Sequence, residues 1–143
     1  DMARVDVSTS SDLDPASAWK LASDLRRFDE WMTIFGGWRG EVPSTIEEGT
    51  CISSLIKVKG FRNIIHWTGT HYDEPKSIEL QGRCRGGIRI AVSMSVTDDD
   101  PGSTFHMVAD LRGGLLGGRI GNLVARVLRS DVRKSVNNLA AVQ

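Results

Sequence analysis

The sequence predicts an α+β protein: a curved antiparallel sheet of seven strands wrapped around one long C-terminal helix, with two short helices between strands 1 and 2. Three observations predict it. Between residues 37 and 112, apolar and polar residues alternate with period two in six consecutive runs. A seventh alternating run, Ala3-Arg4-Val5-Asp6-Val7-Ser8, opens the chain. From about residue 116 to 141 the apolar residues recur at helical spacing instead.

In the first run Ala3, Val5 and Val7 share one face. Asp14-Pro15 then starts a helix, because Asp14 can cap it and Pro15 at the first helical position wastes no amide. That helix should run through Trp19 and Leu21 to about Asp24. A second short helix is expected over Phe28 to Met32, ending near Gly36-Gly37. Strands follow at Trp38 to Val42, Cys51 to Lys59, Asn63 to Tyr72, Ser77 to Cys84, Gly87 to Thr97 and Thr104 to Leu111. The clearest is the sixth of the seven: Ile88, Ile90, Val92, Met94 and Val96 face one way, and Arg89, Ala91, Ser93 and Ser95 the other. Asp98-Asp99-Asp100-Pro101-Gly102 is a strong turn signal before the last strand. Strands this close in sequence favour an antiparallel meander with one buried face. Leu116, Ile120, Leu123, Val124, Val127, Leu128, Val132, Val136 and Leu139 form the stripe of the final helix, which would be about 39 Å long.

Length and composition narrow the function classes. A chain of 143 residues, 40% hydrophobic and 25% charged, suits one globular domain over residues 1–143. Lys plus Arg and Asp plus Glu each number 18, so the formal charge is zero, which argues against a dedicated nucleic-acid binder. The charge is uneven in place: residues 1–31 hold 4 basic and 7 acidic side chains, and residues 113–143 hold 5 basic and 1 acidic. No apolar stretch reaches the length of a membrane span, and no secretory signal opens the chain, whose Met2 reads as the natural start. Cys51 and Cys84 lack the spacing of a zinc or redox motif and read as free thiols, consistent with a cytoplasmic protein.

Few residues carry an obvious chemistry. His66 and His71 differ by an odd number of positions on one strand, so they should face opposite ways unless a bulge intervenes, and His106 should face outward. No metal site and no cofactor are expected. The segment Arg112-Gly113-Gly114-Leu115-Leu116-Gly117-Gly118-Arg119 matches neither phosphate-binding glycine motif and reads as a hinge between the last strand and the helix. A strongly curved sheet cannot complete its packing against a straight helix, so an apolar hollow is expected between them.

The order of elements, with Pro15-x-x-x-Trp19, Ala22-Ser23-Asp24-Leu25, Phe28-x-x-Trp31, Glu48-Gly49-Thr50, Tyr72-x-x-Pro75 and Ile78-x-Leu80-x-Gly82, resembles the helix-grip fold of the START-like superfamily. This is the polyketide cyclase/dehydrase and lipid transport family, and the resemblance covers essentially the whole chain. It implies a small hydrophobic ligand, lipid or polyketide-like, held between sheet and helix by a carrier or sensor. Trp38, Ile56, Trp67, Leu80, Ile90, Phe105, Met107, Leu116, Ile120 and Val124 are the expected lining. Lys59, Arg62, Arg85, Arg112 and Arg119 are expected around the entrance, where they would attract an acidic headgroup. Two alternatives come with the resemblance. One is a toxin component that meets a small antitoxin-like protein, with Arg126 and Arg133 on the contacting helix face. The other is an aromatase/cyclase-type dehydratase, with His71 or Tyr72 as general acid or base.

Overall fold

The structure, a computed structural model, describes residues 2–58, 61–73, 77–114 and 118–142. Seven strands form one sheet: β1 (Met2–Ser11), β2 (Phe35–Arg39), β3 (Cys51–Val58), β4 (Phe61–Asp73), β5 (Ser77–Cys84), β6 (Ile88–Asp99) and β7 (Gly102–Arg112). Their order is β1-β7-β6-β5-β4-β3-β2, every pair antiparallel. Strands β2 to β7 are therefore a meander, and β1 crosses to pair with β7 from Met2↔Arg112 to Ser11↔Ser103. Helix α1 (Pro15–Ser23) and a 3-10 turn (Leu25–Glu30) bridge β1 to β2, and helix α2 (Gly118–Ala141) ends the chain.

The alternation explains the layering. Ala3, Val5 and Val7 are buried on β1, and Ile90, Met94 and Val96 on β6, while Arg4, Asp6 and Arg89 on the opposite face are exposed. The apolar face is concave and packs against α1, the 3-10 turn and α2. Two irregularities help it curl: the register shifts between Phe35 and Trp38 on β2 and between Gly69 and His71 on β4.

Helix α1 begins as expected. Asp14 caps it by accepting from the Ser17 amide at 3.4 Å, and Pro15 occupies the first helical position. The Ser17 side chain and then the Ser17 amide, as hydrogen-bond donors, hold the exposed Asp14 carboxyl below its ordinary pKa. The second short helix forms at Leu25–Glu30 rather than Phe28 to Met32. Asp24 caps it by accepting from the Arg26 amide at 3.1 Å, and Leu25 and Phe28, three apart, turn inward together. The second strand likewise lies at Phe35–Arg39, earlier than Trp38 to Val42, because Gly37 at φ 115° interrupts the alternation inside it.

Helix α2 lies mainly over β1. Gly121 and Ala125 are buried near its start, and Val132, Val136 and Leu139 further on. Ile120 and Leu123, expected on the inner stripe, are instead 52% and 61% exposed. The buried side of the helix therefore carries the small residues Gly121 and Ala125 at this end. Polar bonds fasten the helix across the fold: the Thr33 amide donates to Ser135 Oγ at 3.0 Å, and Asn138 Nδ2 donates to the Trp31 carbonyl at 3.3 Å.

Candidate functional site

Between α2 and the concave face lies a hollow of about 410 Å³, inside the range of pockets that take drug-sized molecules. Its walls come from every strand, from the 3-10 turn and its exit, and from α2. Aliphatic and aromatic side chains dominate. Among the described residues that border it, none is Asp, Glu, His, Lys or Arg.

One wall is aromatic. Phe28 sits 5.2 Å from Trp31 and 5.5 Å from Trp38 between ring centroids, and Phe35 is 5.0 Å from Trp38. The tilted and edge-on packing matches what ring quadrupoles prefer. Trp38 Nε1 donates to the Leu25 carbonyl at 2.8 Å, which anchors β2 to the 3-10 turn. A loop plug completes the wall: Ile46 is 2% exposed and borders the hollow.

Polar atoms at this surface are few and unequal. Ser135 Oγ donates to the Asp131 carbonyl at 2.9 Å and accepts from Thr33, so it is satisfied. Ser54, 2% exposed, accepts from Trp67 Nε1 at 2.9 Å, and its own hydroxyl proton finds no acceptor among the described residues. Trp31 is 1% exposed, and its Nε1 is buried with no hydrogen-bond partner among the described residues. An unmade buried hydrogen bond costs about 1–3 kcal/mol, and this N–H sits behind the wall of the hollow, with no surface open to it. Cys84 also borders the hollow, and burial pushes its thiol pKa up, which keeps it protonated and a poor nucleophile.

Of the residues expected to line the hollow, Trp38, Ile56, Trp67, Leu80, Ile90, Met107 and Val124 border it. Phe105 does not: it is 1% exposed in the adjoining core. Ile120 points to solvent, and Leu116 lies outside the described residues. Arg62, Arg85, Arg112 and Arg119 are all exposed at strand ends or at the start of α2, and Lys59 lies outside the described residues. The structure does not bring His71 or Tyr72 to the hollow. His71 is exposed after the β4 bulge, and Tyr72 packs against Trp19 at 6.1 Å beside α1. That bulge also leaves His66 and His71 both exposed rather than on opposite faces, whereas His106 faces outward and meets Asp6 at 2.6 Å. Sequence reasoning missed Ser54, Ser135 and the Trp31 N–H. The signal for Ser54 was its place between Ile52 and Ile56 in the β3 alternation, and for Ser135 its spacing from Val132 and Leu139 on the α2 stripe.

A curled antiparallel sheet gripping a long C-terminal helix over an apolar hollow defines a helix-grip protein. The chain belongs to the polyketide cyclase/dehydrase and lipid transport family, whose model matches residues 2–143. It is 38% identical over 141 residues to a protein named Toxin Rv0910 from Mycobacterium tuberculosis, covering 99% of this chain and 98% of that one. It is 32% identical over 139 residues to an uncharacterized protein, Rv1546, of the same organism, covering 97% of each. Among solved structures, the Zhui aromatase/cyclase from Streptomyces sp. R1128 superposes with a TM-score of 0.78 at 10% identity, covering 99% of this chain and 93% of that one. A START superfamily protein from Mycobacterium smegmatis superposes at 0.77 with 11% identity, covering 96% and 94%. At such identities these structures show the shared fold alone. Among the described residues no helix is long and apolar enough to cross a membrane, and no cluster of potential metal ligands forms.

Proposed function

We propose that the protein binds one small, uncharged, largely apolar molecule in the hollow, as a carrier or sensor. One observation carries the reading: a hollow of about 410 Å³ with aliphatic and aromatic walls and an unpartnered N–H on Trp31. Burial of the ligand's hydrocarbon supplies the affinity, at about 0.8 kcal/mol per methylene. The polar groups left over among the described residues, Trp31 Nε1 and the Ser54 hydroxyl, are both donors set just behind the wall, so a ligand bearing a ketone, ester or lactone oxygen gains a partner where a small shift of the wall admits it. A deep carboxylate is disfavoured, because among the described residues no cation borders the hollow to repay its desolvation. The same absence of acid–base side chains favours binding over ketone chemistry.

The test compares a medium-chain methyl ketone with the alkane of equal length, each displacing Nile red from the protein. Both should displace it, the ketone more tightly. Trp31→Phe should weaken the ketone about two- to tenfold, the value of one net hydrogen bond, and leave the alkane unchanged. It should alter stability by less than about 1 kcal/mol, since the lost ring volume is offset by removal of an unsatisfied donor. Displacement by neither compound would refute the reading.

A second reading draws on the 38% identity to a protein named as a toxin. In it, the chain acts through contacts with a small acidic partner on the outer face of α2, where Arg126, Arg129, Arg133 and Lys134 are all exposed. Pull-down of the product of an adjacent reading frame, lost on charge reversal of Arg126 and Arg133, would support it.

A further inference from the structure

The charges are balanced in number but not in place. On the convex face Arg83 stands directly opposite Arg89, and Arg89 directly opposite Arg112, a row of three arginines across β5, β6 and β7. Lys57 stands opposite Arg62 at the neighbouring hairpin. All five are exposed, and none forms an ion pair among the described residues. The nearest carboxylate in the ladder, Asp110 on β7, is taken by Arg4 at 3.1 Å. Like charges directly across a ladder destabilise a sheet, so folding leaves this row uncompensated. At the opposite ends of the same strands stand Asp73 and Asp98-Asp99-Asp100. The chain is thus polarised along its strands.

The cationic end also carries exposed hydrocarbon. Gly113 and Gly114, just after β7, press against the backbone of Gly87 and Gly86. This seats the end of β7 on the turn bearing Arg85. Helix α2 begins four residues further on, with Arg119 exposed and with Ile120 and Leu123 at 52% and 61% exposure. Leu123 borders the hollow as well, so this tip lies beside it.

We propose that this end docks peripherally on an anionic lipid bilayer, the arginine row meeting headgroup phosphates while Ile120 and Leu123 enter the interface. An aliphatic tip beside unpaired cations is the combination such a surface rewards. The sugar–phosphate backbone of a nucleic acid would use the cations and leave the two aliphatic side chains idle. In purpose the inference rests on the ligand-binding reading, since docking here would bring this end of the hollow to a source of apolar molecules. The docking itself is measured without ligand.

The experiment sediments the protein with phosphatidylglycerol vesicles and with phosphatidylcholine vesicles, and runs duplex DNA as a competitor. Binding to the anionic vesicles alone is expected, falling with added salt. Arg89→Gln with Arg112→Gln should weaken it about fivefold per position. That double variant should also melt higher, because the cross-strand repulsion is relieved. Ile120→Ser should weaken vesicle binding too. Equal binding to both vesicles, unchanged binding by the double variant, or preference for duplex DNA over the anionic vesicles would each overturn the proposal. Arg89, Arg112 and Ile120 do not border the hollow, so Nile red uptake by these variants should persist. Loss of docking with uptake intact then separates the two readings.

Discussion

Replacing Gly69 with alanine should lower the melting temperature by on the order of 10 °C and weaken ligand uptake with it. A Cβ at this position would overlap the Glu47 carbonyl oxygen and crowd the Ile46 side chain. Neither partner can step aside cheaply. The Gly69 amide donates to the Thr50 carbonyl at 2.9 Å, and its own carbonyl accepts from the Gly49 amide at 2.8 Å, so strand and loop are stitched together at the point of overlap. Overpacking of this kind costs about 1–3 kcal/mol or somewhat more, and breaking the two bonds adds to it. The loop cannot move without withdrawing Ile46, which plugs the wall of the hollow. A thermal melt and a Nile red titration check both parts. An unchanged melt would mean that the loop is not held against β4 as described.

Ala109→Phe should act in the opposite sense, sparing the fold and abolishing the site. Ala109 lies on β7 between Val5 and Val92 in the sheet and borders the hollow. In a filled core a ring at that position would force neighbours off their rotamers, at about 1–3 kcal/mol. Here it would grow into unoccupied volume and gain dispersion contacts. The expected result is a melting temperature equal to or above that of the parent, with affinity for the methyl ketone reduced at least about tenfold, because the ring excludes part of the ligand's buried hydrocarbon. Calorimetry and the displacement assay report the two effects separately. A clear loss of stability with unchanged affinity would place the packed core where the hollow is drawn.

The strands were readable because their chemistry repeats. β6 buries Ile90, Met94 and Val96 and β7 buries Phe105 and Met107, each on one face of its strand, and the turn at Asp98-Asp99-Asp100-Pro101 separates them as its composition requires. Reading failed where a local device breaks the period. Gly37 shifts the phase of β2, and the bulge after Gly69 does the same on β4, which moves His71 and Tyr72 away from the positions that a regular strand would give them. Helix α2 misled for a different reason. Hydropathy weights Ile120 and Leu123 heavily and Gly121 and Ala125 little, yet it is the small pair that is buried. The polar chemistry of the hollow was hidden because it depends on which donors are left over. That Trp67 satisfies its N–H on Ser54 and Trp38 on the Leu25 carbonyl, while Trp31 does not, depends on contacts between distant segments.

Under the proposed function, a neutral apolar molecule binds in the space between sheet and helix. Methyl-resolved NMR during titration with a medium-chain methyl ketone tests it most directly. Saturable shifts should concentrate at Ile56, Ile65, Ile90, Val92 and Val124, which border the hollow, and spare Ile64 and Ile120, which face solvent. Shifts confined to Ile64, Ile120 or other surface methyls, or none at all, would contradict it.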